Sequence, residues 1–328
     1  MVVSQSSIKL YKQCPQAYYY KKMENLVPKH TALPLQRGVI LHSALEAYYK
    51  QDKKKTWRKA IEEYREFWDG LLEEEQVELY GGDLLGDCVK IMEGYCRTYG
   101  DKPKEKVLAV EIDISENPVE LLPGLFLSGR IDLISQDDKG TWITEHKSHR
   151  KIPTEETRFL NTQTVLYQLA AEKLGFKVDG IRWNYLRTKL PTVPRVLKDG
   201  SLSRAKDIDT DYHTLLNAVV ANGEDPKHYQ EELERVKSNE FYVRRYSPKN
   251  EKVTAAILAD IRNVAPLMDR MARYPYRCLD TRTCKSCCYK TLCQAELLGL
   301  DTSFILKKDF IRKEESIDAN SYEEENDE

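Results

Sequence analysis

The sequence predicts a mixed α/β fold, and three observations carry that reading. Residues 106–115, 125–135 and 141–148 alternate apolar with polar positions, as half-buried strands do. The segments before and after them repeat apolar residues at helical spacing, which surrounds a compact group of strands with helices. No window approaches eighteen uninterrupted apolar residues, so a transmembrane helix is excluded. With 41% hydrophobic and 32% charged residues, the 328-residue chain has an ordinary globular composition and the length to bury a core without a staple. Its start, MVVSQSSIKLYKQCP, has no basic segment followed by an apolar one, which predicts an intracellular, cytoplasmic protein. In that compartment the eight cysteines read as thiols or metal ligands rather than disulfides.

Residues 6–13 read as a helix capped by Ser6 or Ser7, running into Cys14-Pro15 and the cluster Tyr18, Tyr19, Tyr20. A helix is expected over about 35–50, and two more near 56–75 and 83–99. Their Trp57, Ile61, Tyr64, Trp68, Leu71 and Leu72 fall at core spacing, with Cys88 and Cys96 as core thiols. After the three strands come a helix at about 155–174 stopped by Gly175, a strand at 180–187 and a basic loop at 188–206. Two helices, a strand at 240–247 and a helix at 251–273 kinked by Pro266 complete the body. The expected organisation is one domain over 1–313, with a helical insertion at about 50–100 forming a lid and a cysteine segment at 278–293. Residues 314–328 hold eight acids and no Lys or Arg, and are expected to be a disordered tail. Without them the formal charge of −2 becomes +6, which permits nucleic-acid binding.

Chemistry concentrates in one hairpin. QDDKG (136–140) is a turn sequence, and pairing Asp137 with Gly140 sets Asp132 directly opposite Glu145 on one face. Lys147, two residues further, shares that face. Two close carboxylates need a cation, and an oxygen-rich site of this kind suits Mg²⁺ or Mn²⁺. A solvated hairpin would show the same charges. The flanking Leu133, Ile134, Trp142 and Ile143 favour burial on at least one face.

These residues resemble a known family. GRID at 129–132 followed by TEHKS at 144–148 resembles the D…(D/E)xK core of the PD-(D/E)XK nucleases; Ile131 stands at the proline position, as is common in the RecB-like branch. RGVILHSALE (37–46) looks like that branch's upstream helix motif, in which a histidine binds metal, and His42 and Glu46 share a helix face. QTVLY (163–167) resembles its downstream motif, with Gln163 and Tyr167 near the DNA. The motifs span roughly residues 6–170. The resemblance implies a restriction-endonuclease-like mixed β-sheet core flanked by helices. It also implies that His42, Asp132 and Glu145, with the backbone carbonyl of His146, hold Mg²⁺ or Mn²⁺ while Lys147 positions the attacking water. Glu111, on the preceding strand, reads as a lesser member of the site or a structural acid.

The cysteines form a second constellation. Cys284-x2-Cys287-x5-Cys293 supplies three closely spaced ligands, with Cys278 and Cys288 as neighbours; spacing alone admits zinc or an iron–sulfur cluster. Some RecB-like nucleases, including CRISPR-associated ones, join an N-terminal cysteine to such a C-terminal set around a [4Fe–4S] cluster. By that resemblance the ligands are Cys14, Cys284, Cys287 and Cys293, stapling the two ends of the chain. Residues 181–207 hold seven Lys or Arg against two acids, interleaved with Trp183 and Tyr185. Such a stretch can follow a phosphate backbone while its aromatics stack bases, or can be a solvated loop. Arg187, Lys189 and Arg195 are its candidate DNA contacts, and Arg244 and Arg245 a weaker second set.

The function implied is metal-assisted phosphodiester hydrolysis by a DNA exonuclease in recombination, repair or phage DNA processing. Its substrate would be single strands or DNA ends, and its protein partners those of recombination or replication. A structure-specific endonuclease on the same core and a DNA-binding subunit of a larger nuclease complex are the alternatives. Intact Asp132, Glu145 and Lys147 argue against an inert subunit.

Overall fold

A computed structural model describes residues 1–29, 32–159, 161–271 and 275–313; the acidic stretch 314–328 lies outside the described residues. Strand β1 (Val2–Val3) leads into helix α1 (Gln5–Gln13). Ser4, rather than Ser6 or Ser7, caps α1: its hydroxyl accepts from the Ser7 N–H while the Ser7 hydroxyl accepts from the Ser4 N–H. Cys14 is extended and ends that helix, and Pro15 opens α2 (Pro15–Tyr18), where a missing N–H costs nothing. Strand β2 (Leu26–Pro28) and α3 (Leu33–Lys50) follow. The helix expected over 56–75 is three pieces, α4 (Trp57–Glu62), α5 (Arg65–Asp69) and α6 (Glu73–Tyr80). Gly70 ends the second, and the acidic run Glu73–Glu75 starts the third, where acids suit a helix N-terminus. Ile61 and Trp68 are buried as expected, whereas Leu72, at this break, is 69% exposed. Asp83 caps α7 (Leu84–Tyr99), which buries Cys88 and Cys96; burial pushes their thiols up to about 12 and about 11.

The strands are β3 (Lys106–Asp113), β4 (Val119–Leu122), β5 (Leu125–Leu127), β6 (Arg130–Asp137) and β7 (Gly140–His149). The run expected as one strand over 125–135 breaks because Gly129 turns to φ +152°, a conformation that favours glycine. A Cβ there would also come 3.1 Å from the Tyr167 hydroxyl. Helices α8 (Glu155–Phe159) and α9 (Gln163–Lys173) replace the single helix expected over 155–174 and carry the chain to β8 (Gly180–Arg187). Then come α10 (Tyr212–Ala221), α11 (Gln230–Val236), β9 (Tyr242–Pro248) and α12 (Glu251–Met271), which contains Pro266. The chain closes with α13 (Thr281–Lys285), α14 (Lys290–Leu297), α15 (Ser303–Asp309) and β10 (Phe310–Arg312).

The central sheet has the order β3-β6-β7-β8-β9, with β7 and β8 parallel and the other neighbours antiparallel. A crossover through helices is what a parallel pair requires, and α8 and α9 supply it. One apolar core packs α1, α9 and α12 on the face bearing Ile143, Ile181, Trp183 and Tyr185. A second packs α3, α4 and α7 against Leu133 and Leu186 on the other. A separate core joins Ala17, Tyr20 and Leu26 to Tyr289, Leu292 and Phe310, so the two ends of the described chain meet; β2 pairs with β10 there.

Covering both faces of β8 corrects the reading of its charges. Trp183 and Tyr185 are 1% and 2% exposed, so they cannot stack on bases. Arg182 is fully buried, with Glu105 at 2.9 Å, Asp137 at 3.3 Å and the hydroxyls of Thr144 and Ser135 as acceptors. Arg244 lies in the same network, bonded to Glu105, Tyr49 and Tyr95. Both arginines hold the sheet together from inside. Removing one partner of such a buried set costs roughly 3–5 kcal/mol.

Candidate active site

The hairpin has the expected register: Asp137 pairs with Gly140, Gln136 with Thr141 and Leu133 with Thr144. Asp132 comes next on β6, and its Oδ2 accepts from the His146 N–H at 2.8 Å. Asp132, Glu145 and Lys147 are 7%, 3% and 8% exposed, so the solvated-hairpin alternative is ruled out.

Helices from opposite faces of the sheet complete the site. From α3, the His42 Nε2–H donates to the His146 carbonyl at 2.9 Å, because a carbonyl can only accept. That leaves Nδ1 facing Asp132 Oδ1 at 3.5 Å. From α9, the Gln163 amide donates to Glu145 Oε1 at 2.8 Å, and Lys147 Nζ lies 3.2 Å from the same oxygen. Glu145 Oε2 is buried without a hydrogen-bond partner.

The site's charges are unequal. Burial alone would raise the Asp132 pKa, but His42 and the His146 N–H outweigh it and hold the carboxyl down at about 2. Glu145 goes the other way: burial, then the Asp132 charge, push it up to about 8 against the pull of Lys147. Burial also lowers His146 to about 3, so its ring is neutral. That ring points to the opposite face, stacked on Tyr49 and accepting at Nδ1 from the Asn184 amide at 2.8 Å.

Glu111 is the member that sequence reasoning left undecided. Its ligand atom and those of His42 and Asp132 all lie within 4.8 Å of one another. Burial, then the Asp132 charge, raise its pKa to about 8, and Arg130 Nε lies 3.7 Å away. Glu111 reaches the site from a backbone at φ +51°, in a stretch where the β3–β6 pairing passes from Val110 to Ile112. An αL conformation for glutamate costs about 1–3 kcal/mol and persists where surrounding structure demands it. No glycine or asparagine signals such a turn in KVLAVEIDIS, so the signal was not local.

An aspartate on one strand and a Glu-x-Lys on its neighbour, with one carboxylate oxygen left bare, define this centre chemically. A family model described as the PD-(D/E)XK nuclease superfamily matches residues 2–294. The chain belongs to that superfamily. No curated protein matches it. PD-(D/E)XK nucleases act on DNA with divalent metals, and the bare Glu145 oxygen beside the His42–Glu111–Asp132 group fits that requirement.

The remaining candidates are dispersed. Gln163 and Tyr167 are 8% and 7% exposed and face Glu145 from α9. Arg187 makes a two-pronged pair with Asp209 at 2.7 and 2.8 Å, and Lys189 contacts the same carboxylate at 2.8 Å. Arg195 is exposed, and Arg245 pairs with Glu240. Cys14, Cys284 and Cys293 all act electrostatically on the Cys287 thiol, which burial and these neighbours push up. The Cys278 N–H donates to Cys14 Sγ at 3.5 Å, and the Cys284 thiol donates to the Cys278 carbonyl at 3.3 Å. Among the described residues no helix is long and apolar enough to cross a membrane.

Proposed function

We propose that the chain is a divalent-metal-dependent DNA exonuclease of the RecB-like branch, acting on single strands or DNA ends in recombination, repair or phage DNA processing. The observation that carries the reading is Glu145 Oε2, buried without a hydrogen-bond partner in a site where Asp132 and Lys147 act on the same carboxyl. Such an atom is costly to keep unless a cation takes it. His42, Asp132, Glu145 and the His146 carbonyl are the proposed ligands for Mg²⁺ or Mn²⁺. A bound cation of this kind polarises a phosphodiester and eases deprotonation of water. Gln163 fixes Glu145 Oε1, which leaves Oε2 for the site. Lys147 places its ammonium where an incoming water or a phosphate oxygen would be oriented.

The thiols support a second part of the proposal: Cys14, Cys284, Cys287 and Cys293 jointly hold one [4Fe–4S] cluster as a staple between the chain's ends. Three of them lie within ten residues, and Cys14 reaches them through the core shared by Tyr20, Tyr289 and Phe310. Anaerobically purified protein should be brown, with about four irons and four labile sulfides per chain. Colourless protein with one zinc and no labile sulfide would overturn the cluster and leave the nuclease untouched.

The nuclease reading is tested by incubating end-labelled linear DNA beside closed-circular DNA with Mg²⁺ or Mn²⁺. Digestion confined to linear DNA is the expected result. Nicking of the circle would favour the endonuclease, and inert protein with intact DNA binding would favour a subunit role.

A further inference from the structure

A cavity of about 470 Å³ lies where α1, the start of α9 and α12 meet. Ile8, Ile257 and Ile261 form an apolar wall, and Lys9, Lys12 and Asn161 stand around it. Two links tie this cavity to the catalytic face. Ile8 and Ile261 belong to the core covering the sheet face that carries Glu145 and Lys147. The Asn161 side chain accepts from the N–H of Gln163, whose own amide holds Glu145.

Its size and chemistry narrow the occupant. The volume lies in the range of small-ligand pockets, roughly 300–1,000 Å³, enough for a nucleotide and too small for a duplex. Lys9 and Lys12 are three residues apart and rise from one side of α1. Lys12 shares Asp260 at 3.3 Å, but with side chains 39% and 68% exposed that pair is well screened and is replaceable by a phosphate. An apolar wall beside paired ammonium groups is what a nucleotide requires: a surface for the base face and cations for the backbone.

Resting on the nuclease reading, we infer that this cavity is a nucleotide subsite for a single DNA strand running past the cleavage site. One base lies against the isoleucine wall, and the adjoining phosphate lies between Lys9 and Lys12. The subsite aligns the strand with Glu145 and Lys147 without touching the scissile bond, so its loss acts on binding rather than on the chemical step.

The test uses the full chain and a fluorescent oligothymidine twelve-mer in EDTA, where no cleavage occurs. Lys9→Gln with Lys12→Gln should weaken binding about tenfold and flatten the slope of log affinity against log salt by about one. Ile257→Trp, which narrows the cavity at its apolar wall without changing charge, should weaken binding at an unchanged slope. Lys9→Arg with Lys12→Arg should bind like wild type, which separates lost phosphate contacts from damage to α1. With Mg²⁺ present, the glutamine pair should raise KM while kcat stays within about twofold. Lys53→Gln with Lys54→Gln, on the exposed turn after α3, should change nothing. The subsite is overturned if the Lys9/Lys12 glutamine pair binds like wild type, or if the Lys53/Lys54 pair loses as much. A wild-type protein that neither binds nor cuts DNA would instead remove the nuclease reading.

Discussion

Replacing Glu145 with glutamine should stabilise the metal-free protein while ending cleavage. Burial and the Asp132 charge push this carboxyl from its usual 4.5 up to about 8. With the folded-state pKa above the unfolded one, the unfolded chain gives up the proton first as pH rises. Wild-type stability from this group is whole below about pH 4.5, falls until about pH 8, and is flat beyond. Over that interval the loss accumulates to roughly 4–5 kcal/mol, at about 1.4 kcal/mol per pH unit. Glutamine recovers only part of it. Its Oε1 can keep Gln163 and Lys147 as donors, but its N–H group takes the place of the bare oxygen and must itself be buried, at a cost of about 1–3 kcal/mol. The expected net gain is about 1–4 kcal/mol at pH 8.5, a rise in Tm of roughly 2–6 °C, and no gain near pH 5. Thermal or urea melts in EDTA across pH 5–9 measure it. Adding Mn²⁺ should reverse the order, because only wild type keeps the full ligand set and gains stability from binding. Two results would refute the reasoning: a Glu145→Gln protein less stable than wild type at pH 8.5 in chelator, or a stability gap that does not vary with pH.

Asp132→Ala or Lys147→Ala should abolish cleavage in purified protein while DNA binding largely survives, since phosphate contacts elsewhere supply affinity; near-normal cleavage by either would discard the assigned site. His42→Ala should lose activity in Mg²⁺ and recover partly in Mn²⁺, which accepts mixed nitrogen and oxygen ligands. Arg187→Gln should lower Tm by several degrees, because it breaks the two-pronged pair with Asp209 and a cation–π contact with Phe241. Exposed Arg195→Gln should leave Tm unchanged and reduce only the salt-dependent DNA affinity. Serine at Cys14, Cys284, Cys287 or Cys293 should lower iron content and Tm together, whereas Cys278 and Cys288 should tolerate it; iron retained after any of the four substitutions would break the ligand assignment.

What the sequence disclosed, and what it hid, divides by the range of the interactions involved. The hairpin register, from Asp137–Gly140 to Leu133–Thr144, was legible because a five-residue turn and a period of two fix it locally. His42 and Gln163 were legible only through motif resemblance, since nothing local says that α3 and α9 reach one carboxylate pair from opposite faces. The basic–aromatic alternation of β8 misled for a definite reason. In a half-exposed strand, Arg182 beside Trp183 and Tyr185 marks a solvent face; β8 is the fourth of five strands with helices on both sides, so that face meets protein. Its charge is answered by Glu105, 77 positions away, and Asp137, 45 away, separations no window of sequence spans. Glu111 was left undecided for a related reason. Alternation gives the face a strand residue would take in a regular ladder, and a φ of +51° removes that regularity just where Glu111 meets His42 and Asp132. Periodicity thus reports the side of a strand, while the element packed there decides whether that side is water, core or a metal's ligand sphere. In this chain the reading failed at the charged groups that the fold buries and pairs over long range.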